Sequence, residues 1–138
     1  MTNIIHKESV NIKAKNKIEE IFKEYGSNKE VDAIALTSKN GIPIASHLKK
    51  EKENESFSTL SATMLGATEV IFSGFEKKNP DLIVAHSEDT VLLIKWVDND
   101  MALSLLGDHD KEKKLKKDIE EMISKIDDLK EAYKIRGL

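Results

Sequence analysis

The sequence SFSTLSATMLGATEVIFSGF, residues 56–75, carries one charged side chain, Glu69, in a chain of which 34% of residues are charged. At about 3.6 residues per turn it is long enough for a helix of roughly five turns. Such a helix has large apolar residues on one side and small, uncharged residues on the other. The large stripe comprises Phe57, Leu60, Met64, Ala67, Ile71 and Phe75, with Leu65 and Phe72 at its margin. The small side comprises Thr59, Ala62, Thr63, Gly66, Val70, Ser73 and Gly74.

This helix lacks the charged face that a surface helix normally turns to water. We therefore expect it to be covered on both sides, with the large stripe against the protein's own core. The small side would then let the backbone of a second molecule approach closely, which predicts a protein–protein interface. The simpler alternative is a monomer in which the Thr and Ser residues of the small side face solvent.

The composition of the 138-residue chain predicts one soluble domain. Its net charge of −3, mixed along the chain, favours neither nucleic acid nor a membrane as a partner. Cysteine is absent, which removes disulfides, thiolate nucleophiles and Cys-based zinc sites. The start, MTNIIHKESV, lacks the apolar core of a signal peptide, and no apolar run approaches the roughly 20 residues that cross a bilayer. We expect a cytoplasmic protein.

Helical spacing of apolar residues predicts two further helices, one before the first strand and one after the last strand in the sequence. The first helix is expected to end at Gly26 in a left-handed cap, and the last to begin at a cap from Asp108 or Asp110. Ser56 or Ser58 is the expected cap of the helix between them. The first apolar stripe comprises Ala14, Ile18, Ile21, Phe22 and Tyr25. The last comprises Leu115, Ile119, Met122, Ile123, Ile126, Leu129 and Tyr133.

Five short apolar segments predict strands. Val31–Ser38 (VDAIALTS) is apolar on both faces, which predicts a central strand. Asn40-Gly41 predicts a hairpin because both residues tolerate positive φ. Residues 42–47 then return as a strand, and Pro43 places that strand at a sheet edge because proline cannot donate a ladder hydrogen bond. Short turns predict an antiparallel meander of three more strands at residues 81–87, 91–97 and 101–106.

These elements, in this order and with these residues, resemble the Roadblock/dynein light chain family. The likeness covers residues 31–106, and the flanking helices match by their order. The hairpin NGIPIAS, residues 40–46, is its most specific piece. The matching stretches are Val31–Leu36, Asn40–Ser46, Leu82–His86, Val91–Ile94 and Met101–Leu106.

The resemblance implies an α+β, profilin-like sandwich of order α-β-β-α-β-β-β-α, with helices on both faces of a five-stranded antiparallel sheet. A single Roadblock-like domain is expected at residues 11–134, between a flexible leader, 1–10, and a tail, 135–138. The resemblance also implies a homodimer joined through the central helix and the third strand, and binding to a small Ras-like GTPase. The expected interface comprises Thr59, Ala62, Thr63, Gly66, Val70, Ser73, Leu82, Val84 and His86.

No catalytic, cofactor or metal site is predicted. The sequence has no Gly-rich phosphate loop, so the chain is not expected to be a GTPase itself. Asp98-Asn99-Asp100 and Asp108-His109-Asp110 do not continue into a calcium loop, and turn or cap roles are favoured. The histidines lie far apart in sequence; two could meet across the sheet, but polar strand-end roles are favoured. They are His6, His47, His86 and His109.

Three functions are compatible with the sequence. The leading hypothesis is a non-enzymatic, dimeric regulator or scaffold for a small GTPase. The second is a profilin/PAS-like small-ligand sensor, which needs a cavity between sheet and helix. The third and weakest is an unrecognised hydrolase.

Overall fold

Three α-helices and five β-strands make up the part of the chain that the structure, a computed structural model, describes. It describes the backbone of residues 2–134 and, from residue 11 onward, their side chains except those at 51 and 54. The helices are α1 (Thr2–Gly26), α2 (Asn54–Gly74) and α3 (Glu112–Tyr133). The strands are β1 (Val31–Ser38), β2 (Pro43–Leu48), β3 (Ile83–His86), β4 (Thr90–Trp96) and β5 (Met101–Asp108). Short 3-10 helices, Glu51–Glu53 and His109–Lys111, precede α2 and α3.

The strands form one antiparallel sheet in the order β2-β1-β5-β4-β3. The helices α1 and α3 pack together on one face of it, and α2 packs on the other. The predicted α+β fold, its element order and the position of β2 at an edge are therefore confirmed. The predicted meander of β3, β4 and β5 is also confirmed.

Successive side chains of β1 point alternately into the two layers of the core. Ile34 and Leu36 point into the large cluster beneath α1 and α3, where Phe22 and Ile119 are also buried. The intervening residues of β1 are small and point towards α2, because successive side chains of a strand project from opposite faces. The predicted apolar stripe of α3 is confirmed, with five of its residues buried: Leu115, Ile119, Met122, Ile123 and Ile126.

The β1–β2 hairpin forms where it was predicted, but its turn differs. Gly41 has a φ of 87°, and among the glycines of residues 2–134 it alone is in the left-handed region. Its N–H donates to the Ser38 carbonyl at 2.9 Å, and the Ser38 N–H donates to the Ile42 carbonyl at 2.9 Å. Only one residue of the Asn40-Gly41 pair therefore needs positive φ, as in a three-residue hairpin loop that ends in a bulge.

The predicted helix caps are wrong. Gly26 ends α1 without a left-handed φ. The residue before α2 is Glu53, and its side chain makes no capping hydrogen bond. Ser58 is buried one turn inside α2, and α3 follows Lys111 rather than Asp108 or Asp110. In both cases a 3-10 turn leads into the helix and displaces its start from the expected polar residue.

The structure describes the backbone of the predicted leader but not the predicted tail. The backbone of residues 2–10 continues helix α1 rather than preceding it. The tail, residues 135–138, lies outside the described residues. The division of the chain at residues 10 and 134 stays a prediction.

Gly107 lies in β5 opposite Val31, the first residue of β1. A substitution at Gly107 tests how tightly the layers pack. A Cβ at this position would lie 2.8 Å from Leu115 Cδ1 and closer still to the Glu30 carbonyl oxygen. We expect Gly107→Ala to destabilise the protein by about 1–3 kcal/mol, the usual range for overpacking. The measurement is the free energy of urea unfolding.

Gly74→Ala is the matched control, because a Cβ at Gly74 would meet nothing within 4 Å. Replacing a helical glycine by alanine should leave stability unchanged or raise it by up to about 1 kcal/mol. Equal stability of the Gly107→Ala variant and wild type would contradict this description of the β1–β5 junction.

Candidate interaction site

Helix α2 faces the sheet with a strip of side chains that belongs to neither predicted side, apart from Leu65 at the margin of the large stripe. Ser58, Ser61 and Leu65 are the buried residues of this helix. The expectation that its large apolar stripe packs on the protein's own core is therefore wrong. Six large apolar residues are exposed instead, by the fractions given: Leu60 61%, Met64 37%, Val70 70%, Ile71 60%, Phe72 37% and Phe75 75%.

The sheet surface beneath α2 explains this orientation. Small buried side chains from β1 and β5 cover this surface: Ala33, Ala35, Thr37, Ala102 and Ser104. Small residues on both surfaces let a helix and a sheet pack without voids, whereas Leu or Phe at the same positions would force them apart. Of the predicted small side, Ala62 and Gly66 are half-buried, and the other five residues, Thr59, Thr63, Val70, Ser73 and Gly74, are exposed.

We call Leu60, Met64, Val70, Ile71, Phe72 and Phe75 the outer face of α2. Hydroxyl groups beside it are occupied within the helix: Thr63 Oγ1 donates to the Thr59 carbonyl and Thr68 Oγ1 to the Met64 carbonyl, each at 2.8 Å. These hydroxyls therefore need no water partner. Exposed apolar surfaces of this kind are typical of sites that bind proteins, membranes or ligands.

Strand β3 provides a second open surface. It hydrogen-bonds only to β4 within the described part of the chain, so its other side presents unpaired backbone groups. The opposite edge strand, β2, begins with Pro43, which has no N–H to donate. The position of β3 at the edge is what the predicted joining role of the third strand requires.

The predicted interface residues fall into three groups. Thr59, Thr63, Val70 and Ser73 are exposed on α2, and His86 is exposed at the end of β3. Ala62 and Gly66 are half-buried and line a cleft between α2 and the sheet, and the half-buried Leu82 and Val84 pack against the core on the α1 and α3 side. The prediction omitted Leu60, Met64, Ile71 and Phe75, whose spacing was evident but was assigned to the core.

The cleft beside Gly66 has a volume of about 550 Å³. Trp96 lines it and donates its indole N–H to the Glu69 carboxylate.

Asp98 also lines this cleft. Asp98 Oδ1 accepts hydrogen bonds from the N–H groups of Asp100 at 2.7 Å and Met101 at 2.9 Å. These bonds confirm the predicted turn role of Asp98.

Two histidines do meet across the sheet. The ring centroids of His86 and His109 are 4.8 Å apart, and His86 Nε2 lies 2.9 Å from Glu112 Oε1. Lys116 Nζ lies 2.8 Å from the other Glu112 oxygen, and this contact is the main reason that the pKa of Glu112 is lowered. Sequence reasoning missed Glu112, because no local motif joins it to either histidine.

The helices of residues 2–134 include none with the length and apolar character that crossing a membrane requires.

Comparisons with known proteins agree on the family and the fold. The family profile described as Roadblock/LC7 domain matches residues 17–106. No curated protein sequence matches the chain.

Several solved structures share the fold. A protein described as MglB with tetrameric arrangement has 16% sequence identity and a TM-score of 0.76, over 87% of this chain and 92% of that one. The gliding protein MglB of Thermus thermophilus has 16% identity and a TM-score of 0.75, over 86% and 92%. A Roadblock/LC7 domain from Streptomyces avermitilis has 11% identity and a TM-score of 0.72, over 78% and 92%. At these identities the likeness establishes the fold alone.

The orientation of α2 leads to a prediction for two positions on the same helix. Ser61→Leu should destabilise the fold by about 1–3 kcal/mol, because the buried Ser61 leaves no room for the larger side chain. Thr63→Leu should change stability by less than about 0.5 kcal/mol, because Thr63 is exposed. Urea unfolding of both variants measures the difference, and a larger cost at Thr63 would mean that the helix faces the other way.

Proposed function

The chain belongs to the Roadblock/LC7 domain family, and on that premise we propose that it is a non-enzymatic homodimeric regulator or scaffold that binds a small Ras-like GTPase. The observation that carries the proposal is the outer face of α2, where six large apolar side chains are exposed in the single chain. A second copy presents the same surface and so covers it by two-fold symmetry.

The energy of covering this face indicates that strand pairing contributes as well. Burying a large apolar side chain contributes about 1.5–3 kcal/mol when it starts fully exposed, so the partly exposed outer faces of two copies together contribute on the order of 10 kcal/mol. Association costs about 4–15 kcal/mol in lost motion. The helix contact alone is therefore marginal, and the proposal joins the open edges of the two β3 strands as well.

The proposed interface keeps most of the residues predicted from sequence. Thr59, Thr63 and Ser73 are exposed on α2 close to the outer face, to which Val70 belongs. Leu82, Val84 and His86 enter through β3 and the segment that leads into it. Ala62 and Gly66, half-buried on the sheet side of α2, stay predictions.

The GTPase partner is proposed from the family likeness. A regulator of this kind acts by binding one arrangement of the GTPase switch segments more tightly than another, since a ligand shifts only states that it distinguishes. The only arginine of the chain, Arg136, lies outside the described residues, and the proposal assigns no arginine finger. A cytoplasmic location follows from this class of partner and belongs to the proposal.

The small-ligand sensor is the second candidate, and the cleft lined by Gly66, Glu69 and Trp96 is the observation that favours it. Polar residues also line this cleft, including Lys39, Asn40 and Asn99. A sensor would retain a small molecule there through purification. Native mass spectrometry of the purified protein therefore distinguishes it from a regulator that acts through protein contacts alone.

The GTPase proposal is tested by capture from the native lysate, with this protein as bait and the lysate GTPases loaded either with GDP or with a non-hydrolysable GTP analogue. We expect a Ras-like GTPase to be captured in one nucleotide state at least about tenfold more than in the other, a difference of about 1.4 kcal/mol. Mass spectrometry identifies and quantifies the captured protein.

Variant baits show whether capture depends on the outer face of α2. Ile71→Glu places a charge on this face, and Ser124→Glu places the same charge at an exposed position of α3. We expect Ser124→Glu to capture as wild type does and Ile71→Glu to capture less. Recovery of no Ras-like GTPase by the wild-type bait in either nucleotide state would contradict the proposed partner.

A further inference from the structure

We propose that His86, His109 and Glu112 form a binding site for a divalent transition-metal ion of the zinc type. The three side chains each offer one ligand atom, and these atoms lie within 4.8 Å of one another. Two imidazole nitrogens and one carboxylate oxygen are a ligand set that zinc takes in proteins. The site shares His86 with the proposed dimer interface, but ion binding does not depend on GTPase regulation.

The backbone brings the three ligands together. His86 ends β3, His109 follows β5 directly, and Glu112 is the first residue of α3. The His109 N–H donates to the Asp89 carbonyl at 3.0 Å, which ties the end of β5 to the β3–β4 turn. The Ser87 N–H donates to the Thr90 carbonyl at 2.8 Å and closes that turn. The positions of the ligands are therefore set by the sheet and not by flexible termini.

The distances suit an ion after small side-chain rotations. Two ligand atoms that each lie about 2.1 Å from a tetrahedral ion are about 3.4 Å apart. His86 Nε2 and Glu112 Oε1 are already 2.9 Å apart. The half-buried His109 ring packs edge-on against His86, with a 69° angle between the ring planes. A small rotation of the His109 ring would bring its ligand nitrogen to the third side of the site.

The surroundings favour a cation over an anion. The Asp110 carboxylate lies near the His109 ring, with Oδ1 3.9 Å from Nδ1, and adds negative charge beside the site. Four carboxylates, those of Glu88, Asp89, Asp108 and Asp110, line the neighbouring cleft. Lys116 opposes them, but it contacts Glu112 Oε2 and leaves Oε1 directed at His86.

The chemistry of the ligands selects the class of ion. Imidazole nitrogens suit Zn²⁺, Ni²⁺, Co²⁺ and Cu²⁺, whereas Mg²⁺ and Ca²⁺ prefer oxygen ligands. Three protein ligands leave a fourth position for water or for a group from another molecule. The His86 side chain projects from a face of the sheet, so an ion there leaves the edge of β3 free to pair.

The test measures Zn²⁺ binding to untagged protein in competition with a chromophoric chelator. We expect one equivalent to bind, and His86→Gln and His109→Gln each to weaken binding by at least about tenfold, because even loss of a second-shell group typically costs that much. His47→Gln is the matched control, because His47 lies on β2 at the other edge of the sheet and should leave binding unchanged. Mg²⁺ at the same concentration should not compete.

A second measurement uses the wild-type protein and so does not rely on variant folding. In imidazole NMR spectra, one equivalent of Zn²⁺ should shift the resonances of His86 and His109 and leave those of His47 in place. Circular dichroism confirms that each variant is folded. Binding that is equally strong in wild type and in the two site variants, or imidazole shifts confined to other histidines, would overturn the proposal.

Discussion

Small side chains packed between α2 and the sheet are the constraint on which the rest of the structure depends. Ala35 and Ser104 on the sheet and Ser58 and Ser61 on the helix are all buried. Because most side chains of this layer are short, the helix packs closely against the sheet with Ser58, Ser61 and Leu65 inward. The outer face of α2 then points away from the sheet and is exposed in the described part of the chain.

The two faces of the sheet therefore have different roles. The face beneath α1 and α3 holds the large cluster that includes Phe22, Leu36 and Ile119, and it provides the deep core that a domain of this length needs. The face beneath α2 has only a small cluster around Leu65 and Ile94. The larger core therefore lies in one layer, while the helix of the other layer exposes large apolar side chains.

The hydrophobic pattern predicted most of the fold because its signals are local. Strand β1 has the predicted bounds. Pro43 predicted the edge position of β2, because proline has no backbone N–H and this can be read from a single residue. Periodicity separated the large apolar stripe of α2 from its small side but did not identify the strip that meets the sheet. That required the alternation of small and large residues in β1, where Ala35 lies between Ile34 and Leu36. The pairing of His86 with His109 depends on strand order, which no local pattern contains.

Sedimentation equilibrium of the wild-type protein and of Ile71→Glu tests the central claim most directly, because it reports whether the outer face of α2 is covered by a second copy. We expect wild type to be a dimer at micromolar concentration and Ile71→Glu to be a folded monomer, since covering the outer face would bury the new carboxylate without a partner. Ser124→Glu, with the same added charge on α3, should stay dimeric. A wild-type protein that remains monomeric at high concentration, or an Ile71→Glu variant that dimerises as tightly as wild type, would contradict the account.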